Sequence, residues 1–342
     1  MRITYKMMNS KYTNNLNSLS NGLDKLNTQV ATGRKYSKTS EDTSSAVKGY
    51  QIRRNLSKIE GYQDNIGHAD DFLTNSESAL GNVEGSLSDA NDKILQGMNS
   101  TQSVDERKII ATELRTIQGQ LLQNLNTNVS DTYIFGGSNT DTKPFTLDTS
   151  GKLLYNGVSA DTMTSTQYTQ MSQDSLYVDI GLGVSFDSSG QVDRNTVFNY
   201  STPGINFVGS GTTAATINGV SENVSNNVYD LLGRIADAFD PPATSTETYA
   251  FDTVDKLYGL YQKATAKPLQ STTEIGSRSN YLTFMTNRYE TQDFNYQKRQ
   301  TEVEGIDTAS AYLAFSTEKT AYEAALKMGS NIVQSSVFDY MQ

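Results

Sequence analysis

From Ile52 onward an apolar residue recurs every seven positions without a miss: Ile52, Ile59, Ile66, Leu73, Leu80, Leu87 and Ile94. Leu56, Val83 and Ala90 fill intermediate positions. A strict period of seven belongs to a helix whose apolar stripe is covered along its length by another helix. The pattern predicts one helix from about Asp42 to Met98, ~85 Å long at 1.5 Å per residue. A shorter seam precedes it, Leu16, Leu19, Leu23, Leu26 and Val30, in steps of three and four. Gly33 then suits a left-handed C-cap. Thr39 or Ser40 is placed to cap the long helix, with Glu41 and Asp42 in its first turn. Beyond it, Ser103 and Glu106 have the spacing of a capping box. Ile110, Leu114, Ile117, Leu121 and Leu125 predict the inward face of a third helix.

A thinner seam lies near the C-terminus: Ile306, Ala309, Leu313, Ser316 and Thr320, then Ala321, Ala325, Met328 and Ile332. Small residues dominate it, so partner helices can approach closely, and it folds stably only against a partner. On this ground residues 1–40 and 305–342 are expected to order on assembly, and Leu23→Asp to leave the single chain unchanged.

All five prolines, Pro144, Pro203, Pro241, Pro242 and Pro268, lie between residues 144 and 268. Proline costs ~3 kcal/mol inside a helix, so its absence marks where long helices are permitted. The chain therefore reads as arm, insert, arm. In the insert, Phe145-Thr146-Leu147 and Leu153-Leu154-Tyr155 flank Asp148-Thr149-Ser150-Gly151, a hairpin signal. Val184-Ser185-Phe186 leads into Asp187-Ser188-Ser189-Gly190, a second turn of that kind, and Val228 to Phe239 predicts a short helix before Pro241-Pro242. Much of the rest is Ser, Thr, Asn and Gly.

The expected fold is α+β, elongated and discontinuous: long N- and C-terminal helices form a coiled-coil-like rod with an inserted β-rich domain. The expected division is residues 1–41 with 305–342 as terminal assembly helices, 42–139 with 251–304 as the rod, and 140–250 as the insert. The assembly seam is Leu16, Leu19, Leu23, Leu26, Val30, Ile306, Leu313, Met328 and Ile332. The seven heptad residues from Ile52 to Ile94 form the rod seam.

The chain has 342 residues, 36% of them hydrophobic, which is lean for one compact globule and suits extended shapes. Without cysteine it can form neither a disulfide framework nor a thiolate metal site. His68 is the single histidine and sits on a polar stretch, where an exposed helix residue is the ordinary reading. Asp187, Ser189 and Asp193 have alternate spacing for calcium, but the position that would need Glu is Phe198. Gly136-Gly137 and Gly181-Leu182-Gly183 lack the following Lys-Ser/Thr of a phosphate loop. No nucleophile, base and orienting group assemble, so no enzyme, cofactor or metal is expected.

No apolar run approaches the ~18 residues of a membrane span. Met1 to Met8 lacks the continuous apolar stretch of a cleaved signal. Residues 1–60 hold eleven Lys and Arg against four Asp and Glu, residues 131–262 five against fifteen, and the whole chain carries −10. The basic positions follow a helical pattern without interleaved aromatics, which is a solvated face and not a nucleic-acid surface.

Val30-Ala31-Thr32-Gly33-Arg34-Lys35 followed by Ser40-Glu41-Asp42 is similar to the "STGKR…SDDP" element of the bacterial flagellin superfamily, with Thr43 in place of the usual Pro. Asp131-Thr132-Tyr133-Ile134-Phe135-Gly136-Gly137, then Asp141-Thr142-Lys143-Pro144-Phe145, resembles the "YIFGG…TDTKPF" segment of its hook-associated members, as does the opening Met1-Arg2-Ile3-Thr4 with Met7-Met8. The resemblance covers roughly residues 1–145 and 275–342. It implies a structural subunit of the junction between flagellar hook and filament. Such a chain leaves the cell unfolded through the flagellar type III export channel with a cytosolic chaperone. Copies of it assemble as a ring, distal to hook-associated protein 1, and seat the first flagellin subunits. The terminal helices would form an inner tube, with the insert outermost. Filament flagellin itself, and a secreted coiled-coil adhesin or effector, are the other readings the pattern admits.

Overall fold

The computed structural model of the chain describes residues 2–217, 220–241 and 249–334. Pro242 and residues 335–342 of the expected terminal region lie outside the described residues. Helix α1 spans Arg2–Thr32, α2 Thr43–Met98 and α3 Val104–Leu125. The middle of the chain follows with β1 (Asn128–Val129), β2 (Thr132–Tyr133), β3 (Phe145–Leu147), β4 (Leu153–Tyr155), β5 (Val158–Ser159), α4 (Ser165–Ser172), β6 (Tyr177–Val178), β7 (Phe198–Asn199), α5 (Ile205–Val208), β8 (Thr212–Ile217), β9 (Val220–Ser225) and α6 (Val228–Phe239). The chain returns through α7 (Phe251–Glu304) and α8 (Thr308–Gln334). The fold is α+β, dominated by long helices at both ends. It divides into two compact units, residues 1–60 with 289–342, and residues 61–288.

The helix boundaries have local causes. Gly33 takes φ +69° and its N–H reaches Gln29 O at 2.8 Å, closing α1 in the left-handed conformation that suits glycine. Asp42, not Thr39 or Ser40, caps α2: its Oδ1 accepts the Ser45 N–H at 3.0 Å. A carboxylate bonded there also favours the helix dipole, which is the advantage over a hydroxyl. Ser103 and Glu106 close a reciprocal capping box on α3, at 2.6 and 3.2 Å.

In the unit of residues 61–288, α2 buries Ile66, Leu73, Leu80, Leu87 and Ile94, interleaved with Ala69, Ser76, Val83, Ala90 and Gly97. Large and small residues alternate in steps of three and four, so partner side chains enter over the small positions. Gly97 is required by such an approach, since a Cβ there would fall 2.6 Å from the Phe239 ring. α7 answers with its own heptad, Val254, Leu257, Tyr261, Ala264, Pro268, Ser271, Ile275, Leu282 and Met285, all buried. The two run antiparallel: Ser279 donates to Asp70 at 2.8 Å, Thr272 to Glu84 at 2.6 Å and Tyr261 to the Leu87 carbonyl at 2.7 Å. Pro268 lies inside this helix, so proline there does not bound the arm. Packing along a covered face outweighs one missing backbone bond.

α3 packs back on α2 through its buried Ile110, Leu114, Ile117, Leu121 and Leu125, with Asn124 bonded to Ser86 at 3.0 Å. α6 covers α3, Gln118 donating to the Tyr229 carbonyl at 2.9 Å. The strands are short. β3 and β4 pair with Phe145 opposite Tyr155, and Asn156 and Gly157 at φ +47° and +80° turn β4 into β5. Asp187-Ser188-Ser189-Gly190 turns as Asp148-Thr149-Ser150-Gly151 does between β3 and β4, but with a single bridge, Phe186 to Val192, and no strand. The longest hairpin, β8 with β9, lies in the Thr- and Asn-rich stretch, where most side chains are exposed and no apolar alternation marks it.

Candidate assembly surface

In the unit of residues 1–60 and 289–342, α1 and α8 lie side by side and antiparallel. Near one end the Tyr12 hydroxyl donates to the Ala325 carbonyl at 2.9 Å. At the other, the Ile306 N–H donates to Gly33 O at 3.1 Å and the Lys35 N–H to Glu304 O at 2.8 Å. The less exposed positions of α1 include Tyr12, Leu16, Leu19, Leu23, Leu26 and Val30, with Gly22, Thr28 and Gln29 beside them. Those of α8 are Ala311, Phe315, Glu318, Tyr322, Ala325 and Gly329, in the same steps of three and four. Glycine permits the closest approaches: a Cβ at Gly329 would fall 2.0 Å from the Tyr12 hydroxyl, and one at Gly22 2.7 Å from Glu318 Oε1.

The N-terminal seam residues therefore face α8 of their own chain, and all five remain half-buried. Half of a leucine's burial is worth about 1 kcal/mol, so the pair is held by a thin margin. The C-terminal seam residues are placed differently. Ile306 is half-buried but precedes the helix, in the link at Gly305. Leu313 is 69% exposed and Met328 63% exposed, both directed away from α1, and Ala309, Ser316, Thr320 and Ala321 are exposed as well. Ala325 faces α1. Ile332 is on the α8 backbone, its side chain outside the described residues. A heptad counted from Ile306 starts in the link between α7 and α8, outside the helix, and so carries no phase into α8. Counted from Thr308, the frame of Ala311, Phe315, Glu318, Tyr322, Ala325 and Gly329 was available in the sequence, although Ala, Gly and Glu carry little hydrophobic signal.

α8 thus has two faces with apolar content. One meets α1; the opposite one leaves Leu313 in solvent, with Met328 exposed on one flank and Tyr312 (63%) and Leu326 (45%) on the other. α1 leaves Met7 and Met8 exposed. The rod seam differs in kind: Ile52 and Ile59 in this unit, and Ile66, Leu73, Leu80, Leu87 and Ile94 in the other, are all 9% exposed or less.

Among the described residues no three His, Cys, Asp or Glu side chains cluster as metal ligands, and no helix is long and apolar enough to cross a membrane. His68 is exposed. Asp187 spends its Oδ1 on the N–H groups of Ser189 and Gln191 in its own turn, as Asp148 does with Ser150 and Lys152. A depression of about 410 Å³ lies beside α4. Its Arg194 bonds Gln173 and lies over the Tyr177 ring, and its Asp174 accepts from Ser138, so both charged groups are already engaged.

The family described as the bacterial flagellin N-terminal helical region matches residues 3–140. The chain is 30% identical over 155 residues to flagellar hook-associated protein 3 of Salmonella typhimurium, a match covering 44% of this chain and 48% of that protein. It is 29% identical over 149 residues to the Escherichia coli protein of the same name, covering 42% and 46%. The matches thus span about half the length of these curated relatives. Two solved structures share the fold. One is a protein from Vibrio parahaemolyticus described as a flagellar hook-associated protein, with TM-score 0.60 and 21% identity over 78% of this chain and all of that one. The other is the flagellar junction protein of Legionella pneumophila, with TM-score 0.53 and 17% identity over 77% of this chain and all of that one.

Proposed function

We propose that this chain, which resembles flagellar hook-associated protein 3, is a structural subunit of the bacterial flagellum at the hook–filament junction. There it joins the hook, through hook-associated protein 1, to the flagellin filament. The observation that carries the reading is the double-faced α8. One face pairs with α1 inside the chain, while Tyr312, Leu313, Leu326 and Met328 stay in water around the rest of the helix. Large apolar side chains left in water on a helix are suited to a second subunit. Copies of this chain would assemble through residues 1–41 and 305–342 into a ring. Residues 42–139 and 251–304 would form the rod around it, with the acidic insert, 140–250, outermost.

The subunit is read as extracellular, exported through the flagellar channel with a cytosolic chaperone. The thin α1/α8 seam supports that route, because it costs little to open and closes again on assembly.

Filament flagellin is the second reading, favoured by the match of residues 3–140 to the flagellin N-terminal region. A deletion in the source bacterium separates the two. A junction subunit leaves hooks without filaments and flagellin shed into the medium; a filament subunit leaves hooks with no shed flagellin. Normal filaments would exclude both.

A further inference from the structure

The link that follows α1, the start of α2 and the end of α7 meet around one buried carboxylate. The Glu304 side chain is 5% exposed and belongs to the last residue of α7. Its Oε1 lies 2.8 Å from Arg53 Nη1 on α2 and accepts the Tyr36 hydroxyl at 3.4 Å from the link between α1 and α2. Gln300 Nε2 donates to its Oε2 at 3.3 Å. The carboxylate presses against the α2 backbone at Gly49, where a Cβ would fall 2.0 Å from Oε1. Its main chain is engaged too: Glu304 O accepts the Lys35 N–H at 2.8 Å, and Arg34 bridges to Gly305. One residue thus ties the link that leaves α1 to both long helices, at the point where the chain turns into α8. Burial, and then the neighbouring Glu304, raise the Tyr36 hydroxyl above its ordinary pKa, so it stays a donor.

A buried carboxylate is weak evidence for stability, since desolvation offsets much of its attraction to a partner. Hydrophobic side chains would fill this joint at less cost. What a charged, multiply bonded group adds is a single geometry: Arg53, Tyr36 and Gly49 are all satisfied in one arrangement of the four segments. We propose that Glu304 is a latch that fixes the angle at which the α1/α8 pair leaves α2 and α7, and that opening it frees the pair as a unit without unpairing α1 from α8. The inference holds whether the chain belongs to a hook junction or to a filament.

The chain has no cysteine, so spin labels can be placed at will. Ser20→Cys with Lys48→Cys reports the angle between α1 and α2. Ser20→Cys with Lys319→Cys reports the α1/α8 pairing. All three positions are exposed. In the purified chain, Glu304→Ala, Gly49→Ala and the milder Glu304→Gln should widen the first distance distribution about twofold and leave the second unchanged. Amide exchange at Lys35 and Ile306 should speed up about tenfold in the same variants. An unchanged first distribution in Glu304→Ala overturns the proposal. So does widening of both distributions together, in Glu304→Ala or Glu304→Gln, which would make Glu304 an ordinary part of the terminal pair's packing. Neither readout involves a flagellum, so failure here is separate from failure of the assembly role.

Discussion

Leu80 is fully buried on α2, between Ser76 and Val83 of the same seam. Removing three carbons from a position packed on all sides forfeits transfer energy and leaves a cavity, so Leu80→Ala should cost about 2–5 kcal/mol. A urea titration followed by circular dichroism checks it; a loss below 1 kcal/mol would mean that α2 is not tightly covered there. Tyr261, deeper on α7, donates to the Leu87 carbonyl, and its burial raises its pKa well above the usual phenol range. The folded state holds that proton more tightly than the unfolded chain does. Stability is therefore fully present below about pH 10, and is lost as pH rises beyond it, where only the unfolded chain ionises. Tyr261→Phe should flatten this alkaline loss while costing about 1 kcal/mol at neutral pH. An alkaline melting profile identical in the two proteins would contradict the assignment.

At the scale of elements, the helix starts carry the acid response. Asp42, Glu106 and Asp307 accept hydrogen bonds at the beginning of α2, α3 and α8; the Ser310 hydroxyl and then backbone N–H groups lower the pKa of Asp307, and backbone N–H groups foremost lower those of Asp42 and Glu106. Lowered carboxylates stabilise the fold above the ordinary carboxylate range and lose that contribution as pH falls through their folded values. Helix signal should accordingly decline below about pH 4. Ser103→Ala, which empties one capping box, should cost about 1 kcal/mol by thermal melting, and no change would show that α3 starts without it. The elements were legible in the sequence in proportion to the hydrophobic contrast along them. α2 and α3 stand out because Ile and Leu recur against polar neighbours, and α6 because Val228 to Phe239 is apolar on one side. α7 was legible only in part, since its seam mixes Tyr261, Pro268 and Ser271 with Ile275 and Leu282. α8 was legible as a helix but not in its facing: Phe315 and Tyr322 face α1 among Ala, Gly and Glu, which give no continuous apolar signal, while Leu313 and Met328 are exposed. β8 and β9 gave no alternating signal because water covers most of both faces.

For the chain as a whole, the terminal pair and the unit of residues 61–288 differ in how firmly they are held. The seam residues of α1 are half-buried, whereas Leu73, Leu80, Leu87 and Ile94 on α2 are 4% exposed or less. Local opening follows buried apolar area, so dilute protease should trim from both termini and leave a fragment containing residues 61–288. Equal resistance of both ends at low protein concentration would contradict this. The two faces of α8 then allow pairing within the chain to be separated from assembly between chains. Leu23 sits in the α1 seam, so an unpaired carboxylate there opposes the intrachain pair. Leu23→Asp should speed terminal proteolysis several-fold, in contrast to the silence expected from the sequence alone. Leu313 is 69% exposed, and a carboxylate at that site stays in water in the single chain. Leu313→Asp with Met328→Asp should leave the proteolysis pattern and melting point of the monomer unchanged. If the outer face of α8 is where subunits meet, the same pair of substitutions should leave cells with bare hooks, with stable protein still made. Filaments of normal length in that strain would remove the outer face from the assembly surface, and a monomer melting several degrees lower would place Leu313 and Met328 in the packing of a single chain.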